Sequence, residues 1–337
     1  MKLLDYGCAR LLNVPEKLGN LIHLKYLSFR YTEIGEVPKS IGMLQNLETF
    51  DVRGTNVREL PKEISKLRKL RHLVGSKLSL IKLKEGIGEM TSLQTLRNVD
   101  LGMDGVVEVI KALGKLEQIR NLGLVNVWRE YGSIISSSIN QMQHLEKLCV
   151  ESRYTANDEV IDLHLSSSPT MLRKLSLRGR LQKFPEWILE LQNLVVLTLI
   201  CSHLTNDPMQ SLKSLQKLLI LHISLRAYDG LGLYFQDGGF QKLQELYVEN
   251  SDELRNIIID KGALPSLKKL HLHENRRLEN IPTGIQHLEK LEDLYISYMS
   301  DEFVQNISTD DWNWVTDHVP LVEIHTIDGN VIRNSRS

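Results

Sequence analysis

Leu267-Lys268-Lys269-Leu270-His271-Leu272 sets three leucines on an L-x-x-L-x-L frame, and the frame returns as Leu24-Leu27-Phe29, Leu47-Phe50-Val52 and Leu194-Leu197-Leu199. Its first position recurs at Leu24, Leu47, Leu70, Leu93, Ile119, Leu145, Leu172, Leu194, Leu218, Leu243, Leu267 and Leu291, in steps of 22 to 27 residues. One step back from Leu24 lies Met1, with Leu4 and Tyr6 in the next two slots, so the array is already running at the first residue. A repeat this short cannot enclose its own apolar side chains and is stable only by stacking on its neighbours.

Inside each repeat, Leu27 and Phe29 alternate with Tyr26, Ser28 and Arg30, the period of a short strand with one buried face. A small polar residue follows at a turn, Thr32, Thr55, Ser202 or Asn275, where its side chain can bond backbone groups that a sheet leaves unpaired. Several repeats continue as Val37-Pro38-x-x-Ile41-x-x-Leu44, Leu60-Pro61-x-x-Ile64-x-x-Leu67, Phe184-Pro185-x-x-Ile188-x-x-Leu191 and Ile281-Pro282-x-x-Ile285-x-x-Leu288. Proline suits the start of a helical turn, where its missing N–H costs no bond. The fold class is therefore α/β, a leucine-rich-repeat solenoid. It is expected as a curved horseshoe with a parallel β-sheet on the concave face and short helical turns and loops on the convex face. Residues 1–309 are expected to form an array of about 13 repeats, and 310–337 a capping segment and tail. In the latter, Trp312 and Trp314 would cover the last repeat ahead of an Asp328-Gly329 turn. The longer steps between Leu93 and Leu172 carry Asn98-Val99-Asp100 and Arg129-Glu130-Tyr131-Gly132, read as displayed loops.

The formal net charge of −1 argues against nucleic-acid or membrane-surface partners that need a strong positive field. Three cysteines, Cys8, Cys149 and Cys201, are widely spaced and form no paired end-caps, which points to a reducing, cytoplasmic setting. The start lacks an apolar signal stretch, no run is long enough to span a membrane, and the lone sequon, Asn306-Ile307-Ser308, reads as an ordinary surface asparagine.

No G-x-x-x-x-G-K-S/T, H-E-x-x-H, C-x-x-C or G-x-S-x-G motif is present, so neither catalysis nor a cofactor is expected. His271-x-His273 is the best metal candidate, with His222 in the same column two repeats earlier. Two strand spacings of about 4.8 Å each put that imidazole out of reach of a shared ion, so solvated or partner-facing histidines are the better reading. The basic run from Lys66 to His72 carries its leucines on the frame, and its charges read as a solvated face.

What remains is the outward side of the strands. The early repeats present Tyr26, Ser28, Arg30, Thr49, Asp51, Arg53, His72, Thr95, Arg97, Asn121, Gly123 and Val125, a basic and aromatic set. The later ones present Val196, Thr198, Ile200, Ile220 and His222, then Glu245, Tyr247, Glu249, Lys269, His271, Asp293 and Tyr295, turning apolar and then acidic and aromatic. Aromatic residues and arginine dominate protein-binding hot spots. The candidate partner-binding residues are Tyr26, Arg30, Arg53, Arg97, Tyr247, His271 and Tyr295.

The stretches Gly179–Ile188, Leu204–Met209, Ala227–Gly230, Gly238–Leu243, Gly262–Leu267 and Trp314–Pro320 are not general features of such repeats. Together they resemble the repeat region of plant disease-resistance proteins, the intracellular nucleotide-binding leucine-rich-repeat immune receptors with an N-terminal coiled coil. The resemblance implies a non-catalytic region that restrains the nucleotide-binding module and senses pathogen effectors or modified host proteins. Arg30, Arg53 and Arg97 would then meet the nucleotide-binding module of the parent receptor, and Tyr247, His271 and Tyr295 a pathogen effector or guarded host protein. The coiled coil and the phosphate-binding module are absent from this sequence, so nucleotide binding is not implied, and the chain reads as a larger protein missing its front. The first repeat lacks a polar cap and is expected to expose apolar surface and promote self-association. The alternative is a general cytosolic leucine-rich-repeat signalling scaffold, which shares the Leu-Pro-x-x-Ile-x-x-Leu element but not the stretches above. An extracellular receptor ectodomain is opposed by the missing signal sequence and missing cysteine caps.

Overall fold

A computed structural model describes residues 2–153, 159–326 and 331–335. The chain forms two compact units, Met1–Leu172 and Arg173–Ser337.

In the first unit the frame builds seven strands, β1 (Leu3–Asp5), β2 (Tyr26–Ser28), β3 (Thr49–Asp51), β4 (His72–Leu78), β5 (Thr95–Asp100), β6 (Asn121–Val127) and β7 (Lys147–Ser152), each parallel to the next. The register places Leu4, Leu27, Phe50, Leu73, Leu96, Leu122 and Leu148 in one row, the middle position of each frame. The frame's first residues, Leu24 to Leu172, are all shut off from solvent. Each such leucine contributes roughly 1.5–3 kcal/mol by leaving water, but only because a neighbouring repeat closes over it.

Behind the strands, the first repeats turn through short 3-10 segments, Glu16–Asn20, Lys39–Met43 and Lys62–Lys66, each entered from an extended proline, Pro15, Pro38 or Pro61. Ile41, Leu44, Ile64 and Leu67 point inward from them. The turns stack so closely that a Cβ on Gly42 would lie 2.9 Å from the Glu63 carbonyl oxygen. The longer repeats have room for true helices, α1 (Val106–Leu113) and α2 (Gly132–Ile139), which replace the 3-10 turns.

The long steps are not displayed loops throughout. Asn98-Val99-Asp100 continues β5, with Val99 fully buried in the frame's third slot. One extra residue is absorbed as a bulge at Asn98, whose φ is 59° and whose side-chain amide donates to the Gly75 carbonyl at 3.0 Å. Gly123 on the next strand permits it, since a Cβ there would sit 3.0 Å from the Asn98 backbone nitrogen. The segment Arg129–Tyr131 is a 3-10 turn leading into α2.

The second unit repeats the plan with β8 (Lys174–Arg178), β9 (Val196–Ile200), the short α3 (Met209–Leu212), β10 (Ile220–Ser224), β11 (Gly232–Phe235), β12 (Glu245–Glu249), β13 (Asn256–Ile259), β14 (Lys269–His273) and β15 (Asp293–Met299). Strands β8, β9, β10, β12, β14 and β15 form the parallel ladder, while β11 and β13 pair in a separate two-stranded sheet. Two helices follow, α4 (Asp301–Gln305) and α5 (Thr309–His318), then β16 (Leu321–Thr326) and β17 (Val331–Ser335).

Strand β16 extends the ladder in parallel, aligning Val322 with Leu294 and Ile324 with Ile296. Val319, Val322 and Ile324 fill the frame with smaller side chains, and all three are buried. Strand β17 then pairs antiparallel to β16, supplying partners to backbone groups on a ladder edge. Trp312 and Trp314 are only half-buried; Val315 is the buried residue of α5, and Trp314 stacks on His318 with ring centroids 5.0 Å apart. The Asp328-Gly329 turn lies outside the described residues.

The polar turn residues divide by chemistry. Thr32 and Thr55 hydroxyls donate to the Phe29 and Val52 carbonyls at 2.7 Å, and Asn275 donates to Val248 at 2.8 Å while accepting from the Ser251 N–H at 3.0 Å. The buried Ser202 hydroxyl finds no hydrogen-bond partner among the described residues. At the first repeat, Leu3, Tyr6, Leu12 and Ile22 are exposed.

Candidate protein-interaction face

Alternate residues of each strand point away from the buried row and form an outward face in each unit. In the first unit it carries Tyr26, half-buried on β2, with Arg30 and Arg53 just past β2 and β3 and Arg97 on β5. Two of these cations are already engaged. The Arg53 guanidinium grips Asp51 through two nitrogens, Nε to Oδ1 at 3.0 Å and Nη2 to Oδ2 at 2.7 Å. Asp51 is almost wholly buried, and its hydrogen bonds hold the Arg53 pKa above the usual guanidinium value. Arg30 faces Asp5 at 3.5 Å. Arg97 is exposed and makes no ion pair among the described residues. The basic surface expected from the residue types is thus largely neutralised within the ladder. Val125, expected to face outward, is buried beyond the Asn98 bulge.

In the second unit, Tyr247, His271 and Tyr295 occupy one row across β12, β14 and β15 and touch in sequence. Ring centroids are 4.9 Å apart for Tyr247 and His271, and 5.4 Å for His271 and Tyr295. His222 on β10 extends the row, edge-on to Tyr247 at 4.0 Å; on β16 the row position is Glu323, and His325, two residues on, brings its ring 5.4 Å from Tyr295. Carboxylates flank the rings. The Tyr247 hydroxyl donates to Glu245 at 2.8 Å, and burial together with that carboxylate pushes its pKa up to about 12, so the phenol stays a neutral donor. His271 Nε2 lies 3.1 Å from Asp293, and His325 Nε2 lies 3.3 Å from Glu323. Burial lowers the pKa of His222, whose Nε2 is enclosed without a hydrogen-bond partner among the described residues.

Glu323 and His325 escaped sequence reading because the stretch after residue 310 looked like a cap. The signal was Val319-x-x-Val322-x-Ile324, the frame written without leucine. His273 Nδ1 sits 2.6 Å from the Ser297 hydroxyl, and no cluster of three potential metal ligands occurs among the described residues. No helix among the described residues is long and apolar enough to cross a membrane.

A family model described as a leucine-rich repeat region matches residues 3–310. The chain belongs to that family. Among solved structures, a leucine-rich-repeat protein of Leptospira interrogans superposes with a TM-score of 0.64 at 24% identity, covering 94% of this chain and 81% of the other. An internalin from Listeria monocytogenes gives 0.51 at 13% identity, covering 87% and 86%. At these identities both likenesses bear on fold alone. Curated relatives of this leucine-rich-repeat region include the Arabidopsis thaliana disease resistance protein RPM1, 32% identical over 55% of this chain and 20% of its own length. Disease resistance RPP8-like protein 3 is 29% identical over 58% and 21%, and disease resistance protein RPP8 is 26% identical over 58% and 22%, both also from Arabidopsis thaliana. The chain therefore spans about a fifth of the length of the curated relatives it matches.

Proposed function

We propose that this leucine-rich-repeat region is the non-catalytic recognition and autoinhibitory part of an intracellular plant immune receptor, sensing pathogen effectors or modified host proteins. The observation that carries the reading is the likeness of its repeats to Arabidopsis disease resistance proteins, RPM1 among them. The two faces supply different chemistry. The first unit's face, with Arg97 exposed and Arg30 and Arg53 at its edge, is assigned to the nucleotide-binding module of the parent receptor. The second unit's row of Tyr247, His271 and Tyr295 is assigned to the effector or guarded host protein.

The test is co-expression in plant cells with the nucleotide-binding module of a related receptor, followed by co-precipitation. Association is expected with the unaltered chain and a severalfold loss with Arg97→Glu combined with Arg30→Glu. An unchanged association in the double variant removes the first unit's assignment. No association at all, with the chain folded, turns the reading toward a general cytosolic scaffold.

A further inference from the structure

We propose that the outward face of β10 to β16 is a docking strip for a protein segment rich in arginine and lysine, gripped by aromatic rings and carboxylates. This deepens the recognition reading above and rests on it.

The first ground is continuity. Five rings in contact, His222, Tyr247, His271, Tyr295 and His325, cross five adjacent strands without a gap. Four strand spacings make a strip about 19 Å long, the reach of about six residues of extended chain. The first two ring contacts are nearly perpendicular, at 85° and 77°, so faces and edges alternate along it. Aromatic faces carry the negative end of the ring quadrupole and attract cations, arginine more than lysine because a planar guanidinium also stacks.

The second ground is charge. On the outward positions of β12 to β15 stand Glu245, Glu249 and Asp293 against the single cation Lys269, counting histidine as neutral, while Glu323 on β16 lies opposite Arg333 in the β16–β17 register. Lys269 lies 3.8 Å from Glu245, and Glu249 makes no ion pair among the described residues. The first unit answers its cations with Asp5 for Arg30 and Asp51 for Arg53, whereas in this strip one lysine faces three carboxylates. A field of this sign repels phosphate and acidic segments and draws basic ones.

The test uses the full 337-residue chain and three labelled peptides of equal length, with Arg-Ser, Lys-Ser and Glu-Ser repeats, read by fluorescence polarisation at low and physiological salt. The arginine peptide is expected to bind best, the lysine peptide more weakly and the glutamate peptide not at all. Tyr295→Ala and Glu249→Gln should each weaken arginine-peptide binding about five- to tenfold, while Tyr295→Phe, which keeps the ring, should bind as the parent does. Thermal melting of each variant verifies folding, and Glu249→Gln, at a half-exposed site, carries the test if Tyr295→Ala melts early.

Equal binding of the glutamate peptide overturns the proposal. So does an arginine affinity that no variant alters, which is nonspecific ionic attraction. If the arginine peptide fails while the nucleotide-binding module still co-precipitates, the strip's chemistry is wrong and the recognition reading stands. If the peptide binds and the module does not, the strip is retained and the receptor assignment falls.

Discussion

The outward faces of the two units are built on the same strand geometry, yet they handle charge in opposite ways. In the first, Arg53 is locked to a buried Asp51 and Arg30 faces Asp5, so side chains that look like a basic surface are largely spent inside the ladder. In the second, the rings from His222 to His325 touch one another and the carboxylates beside them outnumber their single lysine. A list of outward residue types is therefore not a surface potential. What matters is whether the register brings a countercharge within reach, and the register is set by the buried leucines.

The harshest test of that shared geometry is Leu270→Asp. Leu270 has no exposed surface and sits between Leu246 and Leu294 in the row. A carboxylate there loses the leucine's burial and lacks a partner, a cost of about 4 kcal/mol or more. Because each repeat leans mainly on its neighbours, hydrogen exchange should show protection lost in β12, β14 and β15 first, with β2 to β4 retained. Uniform loss across both units would mean that they unfold as one body, and normal protection in β14 would mean that the register is wrong.

The buried row was the part most legible in sequence, since Leu24, Leu47, Leu70 and the residues that follow depend on a period that survives substitution by Ile, Phe or Val. Row partners such as Tyr247, His271 and Tyr295 were equally predictable once that period was known, because parallel strands in register align equal positions. Three things were hidden. The bulge at Asn98 depends on a single positive-φ residue and on Gly123 beside it, a backbone accommodation with no periodic signature. The last ladder strand was masked because valine and isoleucine replace leucine in its frame. The neutralisation of Arg53 was hidden because Asp51 stands two residues before it at the end of β3, where alternation alone would have given both a solvated position.

Asp51→Asn sharpens the contrast between the faces at a smaller energetic cost. It removes one charge of a bidentate pair whose carboxylate is buried and whose guanidinium is partly solvated. Solvent screening of Arg53 cuts the loss below that of a fully buried pair, to about 1–2 kcal/mol by denaturant unfolding. The variant should also free a cation, so the glutamate peptide, inert toward the parent chain, should gain measurable low-salt binding to the first unit. Unaltered stability would show that the pair contributes nothing, and the faces would then differ less than their geometry suggests.

The finest comparison sets His72 against His222, one on each face. Burial lowers the pKa of both below the ordinary histidine value, most directly by excluding water from the charged ring. His72 keeps a neighbour for its Nδ1, the Thr95 hydroxyl at 3.1 Å, whereas the His222 Nε2 is enclosed without one. A folded-state pKa below the unfolded value of about 6.5 means that, below that pH, the unfolded chain binds protons the folded chain refuses. Stability should therefore fall as pH drops through about 6.5 and level off once the folded-state values are passed, with no contribution above. Both rings keep some solvent contact, so each effect should be under about 1 kcal/mol. His222→Phe retains a ring against Tyr247 and removes the titration, and it should flatten the acid loss more than His72→Phe does. Equal flattening would mean that the missing hydrogen bond is immaterial. No flattening in either variant would place the acid sensitivity in the carboxylates, whose window lies lower, and would remove histidine burial as a difference between the two faces.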